Sequence, residues 1–122
     1  MIPLGPLSNS NFKNQRFLNK MNVMFCSSVQ KEDFCGIGIV IDTLEKEIKL
    51  GVKYKCSKIE GDYKALLLGI KEAEKLKIDS LAIFSDSEYI VNQFKNSMKS
   101  GWKLEWIPKE NNYRAVKEAI KS

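Results

Sequence analysis

The sequence predicts a single α/β domain whose five-stranded mixed sheet carries helices packed on it, in the order β-β-β-α-β-α-β-α. Three observations lead there. Residues 47–56 alternate apolar and polar side chains with period two, the spacing turns helical from Tyr63 onward, and short apolar runs then alternate with further helical patterns. The 122 residues, 43% apolar and 29% charged, suffice for one core and not for two.

The elements follow in order. Residues 22–26 and Cys35–Asp42 are short runs rich in β-branched and aromatic residues, and the polar stretch between them reads as a hairpin. In the third strand, residues 47–56, Ile48, Leu50, Val52, Tyr54 and Cys56 face a core, while Glu47, Lys49, Gly51, Lys53 and Lys55 face water. Ser57 with Glu60 three residues later is a capping-box start for a helix reaching about Lys77, with Tyr63, Leu66, Leu67 and Ile70 on one face. Residues 80–85 form a buried strand. Ser85 with Glu88 repeats the capping signature before a helix carrying Tyr89, Ile90, Phe94 and Met98, which Ser100 and Gly101 end. Residues 103–107 form the fifth strand, stopped by Pro108, and residues 112–121 form the last helix with Val116, Ala119 and Ile120 inward. Trp102 and Trp106 read as core and sheet packing.

Residues 1–20 hold Pro3, Pro6 and three cations without an acid, which predicts a disordered or loosely docked basic tail, with the folded domain spanning residues 21–122. The tail supplies most of the net charge of +5, since residues 21–122 carry 17 basic and 15 acidic groups, a net +2. Nucleic-acid binding is permitted by this charge and not required by it.

Several chemistries are excluded. The chain has no histidine, so Ser-His-Asp and Cys-His triads and His-coordinated zinc are absent. Its three cysteines, Cys26, Cys35 and Cys56, show no C-x-x-C spacing and no secretory leader precedes them, which predicts a reducing, intracellular location, cytoplasmic or nuclear. Apolar runs stop at about six residues, far short of the roughly 20 that cross a bilayer, so no membrane partner is expected. Cys26 lacks a base and reads as an inert strand thiol, and Gly36-Ile37-Gly38 lacks the third glycine of a phosphate loop.

Two acids stand where open α/β sheets place ligands: Asp86 at the carboxyl end of a buried strand and Asp62 near the start of the helix packed on that sheet. Each also has an ordinary explanation, Asp86 as a helix cap and Asp62 as a favourable charge near a helix N-terminus.

Four blocks carry a resemblance. Cys26-Ser27-Ser28 with the run Gly36 to Ile41, Glu60-Gly61-Asp62-Tyr63-Lys64-Ala65-Leu66, Phe84-Ser85-Asp86-Ser87-Glu88-Tyr89, and Trp106-Ile107-Pro108-Lys109-Glu110-Asn111-Asn112 resemble, in order, the ribonuclease H type 1 family in its reverse-transcriptase-like branch. The resemblance spans residues 22–122 and implies an RNase H-like fold. It also implies hydrolysis of the RNA strand of an RNA/DNA hybrid by two Mg²⁺ ions in a cage of four carboxylates. In this chain the first-strand acid falls on Cys26, the helix acid on Asp62, the fourth-strand acid on Asp86 and the last-helix acid on Val116. Two carboxylates against two divalent ions leave the cage short of negative charge, and a thiol is a poor ligand for magnesium. The expectation is a catalytically inactive or severely impaired domain in which Asp62 and Asp86 hold at most one weakly bound Mg²⁺, or none.

Substrate contacts change as well. Where the family carries small amides ahead of the helix acid, this chain has Lys58 and Ile59, and Glu88 replaces a glutamine. Lys49, Lys53, Lys55 and Lys58 form the remaining cationic stripe suited to a phosphate backbone, with a solvated strand face as its plainer explanation. Three functions are expected from this pattern: a nucleic-acid-binding domain without activity, a divergent hybrid ribonuclease that recruits Glu60, Glu32 or Asp33, and a protein-interaction scaffold of the same fold.

Overall fold

The computed structural model describes residues 22–122. The expected tail over residues 1–20 and the domain start at Met21 lie outside the described residues. Strands β1 (Asn22–Gln30), β2 (Cys35–Asp42) and β3 (Glu47–Tyr54) are followed by α1 (Lys58–Lys75), β4 (Leu81–Ser85), α2 (Glu88–Phe94), β5 (Trp102–Trp106) and α3 (Tyr113–Lys121). Single 3-10 turns at Lys95–Ser97 and Lys109–Asn112 complete the described chain. The sheet order is β3-β2-β1-β4-β5; β1 and β3 run antiparallel to β2, while β4 runs parallel to β1 and β5. This is the expected mixed sheet in the expected order.

The core follows from alternation along the strands. Met24 and Cys26 on β1, Ile37, Ile39 and Ile41 on β2 and Ile83 on β4 join Ala65 and Leu66 of α1 in one buried cluster. Each fully buried Ile or Leu contributes about 1.5–3 kcal/mol, so this layer dominates the stability of so small a domain. Along β3 the apolar residues Ile48, Leu50, Val52 and Tyr54 pack against the same core, as their period demands.

Helix α1 begins as its sequence dictates. Ser57 accepts a bond from the Glu60 N–H at 3.3 Å, and the Glu60 carboxylate accepts one from the Ser57 N–H at 2.9 Å. The last helix packs on the opposite face by backbone approach. A Cβ at Gly38 would lie 1.9 Å from the Ala115 carbonyl oxygen, and one at Gly36 would lie 2.0 Å from that of Ala119. Lys31, from the β1–β2 turn, donates to the Ile120 carbonyl at 2.8 Å and closes the end of α3.

Several local expectations are corrected. Strand β1 continues four residues beyond Cys26, because Ser27 and Ser28 pair with Gly38 and Ile37 instead of entering the turn. The cap of α2 is Ser87, which accepts from the Ile90 N–H, whereas the Ser85 hydroxyl accepts from the Ser87 N–H. On α3 the inward residues are Ala115 and Ala119; Val116 is half-buried and Ile120 is 58% exposed. Small side chains face the sheet there because the glycines of β2 draw the helix too close for larger ones. Trp102 is buried and donates to the Ile78 carbonyl at 3.1 Å, but Trp106 at the end of β5 is 43% exposed and is not core.

Gly38→Ala therefore forces α3 off the sheet. Urea denaturation is expected to show a loss of about 1–3 kcal/mol, the usual range for overpacking.

Candidate functional site

The site forms where the parallel pair β1 and β4 ends. Cys26 registers with Ser85, so Asp86 leaves the sheet beside the thiol, and α1 carries Asp62 toward the same point. Gly61 makes this possible: a Cβ there would stand 2.9 Å from the Cys35 sulfur, so the helix turn bearing Asp62 lies directly on β2.

Successive residues of β1 serve opposite faces of the sheet. On the α1 face the Ser28 hydroxyl donates a short bond to Asp62 Oδ1, and the Lys58 ammonium lies 2.7 Å from that same oxygen and 3.2 Å from Ser28 Oγ. On the α3 face Ser27 donates to Asp86 Oδ2 at 2.7 Å. The amide of Asn112 donates to Asp86 Oδ2 at 2.8 Å and to the Cys26 carbonyl at 2.9 Å. Asn112 is fully buried, and its Oδ1 has no partner among the described residues. Trp106 adds a bond from its indole N–H to the Asp86 carbonyl at 3.2 Å.

The Cys26 thiol is buried on the α1 face, with its sulfur 3.6 Å from the Phe84 carbonyl oxygen, and lies near enough to both acids to feel their charge. Burial pushes the thiol well above its ordinary range, and the charges of Asp86 and Asp62 add to the effect. Its neutral form is thereby favoured.

The structure thus brings together Cys26, Asp62 and Asp86. It also shows what the lysines of the cationic stripe contact. Lys58 is committed to Asp62, Lys49 lies 3.6 Å from Glu47, and the Lys53 ammonium sits 4.5 Å over the Phe34 ring. Lys55 is exposed. The C-terminal part of α3 lies close on this face at Gly51, where a Cβ would lie 2.9 Å from the Glu118 carbonyl oxygen. Glu60 is held by the Ser57 backbone N–H, which keeps its carboxyl below the usual range, and Glu32 and Asp33 are exposed in the β1–β2 turn.

Ser27, Ser28 and Asn112 are the site residues that sequence reasoning assigned no role. An asparagine before a helix reads as a cap, yet Asn112 makes no capping bond and spends its amide on the site. The serines carry the only recoverable signal, a pair of hydroxyls directly after Cys26 in a strand.

These donors do not fit a two-magnesium cage. Each acid has an oxygen that already accepts from two donors, the first-strand position holds a neutral thiol, and the last-helix position holds Val116. Among the described residues no three His, Cys, Asp or Glu side chains form a metal-binding group. Magnesium needs hard, free oxygen ligands in near-octahedral geometry. Ser28 is fully buried, so its hydroxyl acts as a hydrogen-bond relay to Asp62 and not as an accessible nucleophile.

Comparison with known proteins agrees with this architecture. RNase H1 of the archaeon Halobacterium salinarum superposes with a TM-score of 0.71 at 13% identity, covering 83% of this chain and 96% of that one. The N-terminal RNase H domain of a Mycobacterium tuberculosis protein gives 0.69 at 19% identity, covering 84% and 98%. LC11-RNase H1, isolated from compost by a metagenomic approach and solved in complex with an RNA/DNA hybrid, gives 0.67 at 18% identity, covering 83% and 95%. At these identities the likeness establishes an RNase H-like fold. No curated protein matches significantly by sequence. No helix among the described residues is long and apolar enough to cross a membrane. The reverse transcriptase-like family model matches residues 25–104, most of the chain and three of the four blocks that carry the resemblance, and the chain therefore belongs to the reverse transcriptase-like family.

Proposed function

We propose that this RNase H-like domain binds a nucleic-acid backbone and does not hydrolyse it. One observation carries the loss of hydrolysis: a buried thiol held in its neutral form stands beside Asp62 and Asp86 where the family resemblance implies an acid, and each acid already accepts two side-chain hydrogen bonds. Two-metal hydrolysis needs dense negative charge at that point to hold the ions that activate water and stabilise the leaving oxygen. Glu60 is no replacement, since its carboxylate is the reciprocal half of the capping box.

Support for a nucleic-acid partner comes from the fold and the surface together. Structurally similar proteins include an RNase H1 solved with an RNA/DNA hybrid and a foamy viral protease-reverse transcriptase solved with double-stranded DNA. Lys53 and Lys55 remain available at the surface, and a phosphate contact requires little more than an exposed cation. A second reading, a protein-interaction domain of the same fold, is favoured by one feature. Ile59, Tyr63 and Leu67, on successive turns of α1, are 60%, 40% and 45% exposed, and the Tyr63 ring stacks on Phe94 at 5.3 Å.

Incubation with a labelled RNA/DNA hybrid in Mg²⁺ or Mn²⁺ is expected to give no cleavage above that of Asp86→Asn; metal-dependent cleavage abolished by that substitution would overturn the loss of hydrolysis. Hybrid affinity is expected to fall steeply with salt, and Lys53→Ala with Lys55→Ala to lower the salt slope by about one unit per phosphate contact removed. A flat salt response with no effect of the lysines favours the protein-interaction reading.

The thiol makes its own prediction. Because the folded chain keeps the Cys26 proton where the unfolded chain loses it, this contribution to stability is complete below the ordinary thiol value of 9.0 and falls as pH climbs past it. Chemical denaturation between pH 7 and 10 is expected to show that decline, and Cys26→Ala to flatten it.

A further inference from the structure

Lysine is an unfavourable choice for the first turn of a helix, where the macrodipole already presents positive potential. Lys58 nevertheless occupies the first position of α1, and its side chain runs along the helix to Asp62 four residues on. There its ammonium meets Asp62 Oδ1 at 2.7 Å and Ser28 Oγ at 3.2 Å, while the Ser28 hydroxyl donates to the same carboxylate oxygen. Asp62 and Ser28 are both buried while the Lys58 side chain is 38% exposed, so this is a charge-assisted cluster anchored on the core, with its cation reaching in from the surface.

A buried carboxylate without a partner is costly, and a fold can satisfy it with a bound cation, with hydrogen bonds or with a tethered cation. Here the third solution is in place. We infer that the Lys58 ammonium is the resident cation of this site, a tethered single charge that occupies the coordination space of Asp62 and closes it to divalent ions. The other acid is satisfied differently: Asp86 takes neutral donors from Ser27 and Asn112. The domain is in consequence indifferent to divalent metal, and Lys58 is a masking group rather than a contact to nucleic acid. This inference does not depend on what the domain binds.

Thermal unfolding of three proteins, in EDTA and across a Mn²⁺ series, tests it: the wild type, Lys58→Met and Lys58→Met with Asp62→Asn. The wild type is expected to keep one Tm throughout. Lys58→Met is expected to melt lower in EDTA and to recover with Mn²⁺, by about 5 °C when the ion is roughly tenfold above its dissociation constant. The double variant is expected to lose the Mn²⁺ response. If Lys58→Met does not fold in EDTA, Lys58→Gln, which keeps a donor toward Asp62, is measured in its place. Equal Mn²⁺ gains in wild type and single variant overturn the inference, as does no gain in either, and so does a gain that survives Asp62→Asn.

Discussion

Strand β1 has antiparallel β2 on one side and parallel β4 on the other, and every polar group of the site depends on that double pairing. The parallel register sets Cys26 against Ser85 and so delivers Asp86 to the thiol. Antiparallel pairing sets Ser27 and Ser28 against Gly38 and Ile37, so their hydroxyls emerge on opposite faces. One face then meets α1 and the other α3. Two acids from distant parts of the chain are thereby hydrogen-bonded by adjacent residues of one strand, with no side chain crossing the sheet.

This arrangement changes the electrostatic problem that the fold must solve. A cage of several carboxylates repels itself and is stable only around cations. With a neutral thiol at the first-strand position the repulsion is reduced to that of two acids, each stabilised by donors of the chain itself. The polar cluster becomes structural: Ser28 and Lys58 pin α1 to β1, while Ser27 and Asn112 pin the segment before α3 to β1 and β4. Such bonds are worth more inside a protein than at its surface, because any one left unmade exposes a buried group to its full desolvation penalty.

Much of this was legible in the sequence because it is written in local periods. Alternation over residues 47–56 locates β3 and its core face, and Ser57 with Glu60 announces α1 to the residue. Asp62 and Asp86 could be brought together because strand ends are where open sheets gather polar groups, and the family resemblance added Cys26. What failed was decided by tertiary contact. Two serines, Ser85 and Ser87, compete for one helix cap, and only the path of the chain after β4 selects the second. The inward face of α3 follows from glycines some 80 residues earlier, so the helical pattern finds Ala119 but adds the larger Val116 and Ile120 and passes over Ala115. Lys58 looked like part of a surface stripe because sequence spacing does not show that its ammonium turns back onto Asp62. Asn112 reads only as the start of the last helix for a similar reason, since its partners lie 86 and 26 residues away.

The Asn112 amide has a bearing on the order in which the molecule is assembled. The meander, α1 and β4 bring Cys26 and Asp86 side by side as soon as β4 pairs with β1, but the donor that joins them arrives with the segment before the last helix. Until that segment docks, the Cys26 carbonyl and the Asp86 carboxylate lack a shared donor, and the backbone groove at Gly36 and Gly38 is open to water. Completion of the polar cluster and closure of the second face are therefore one event, reached only when the ribosome has released the sequence past residue 112.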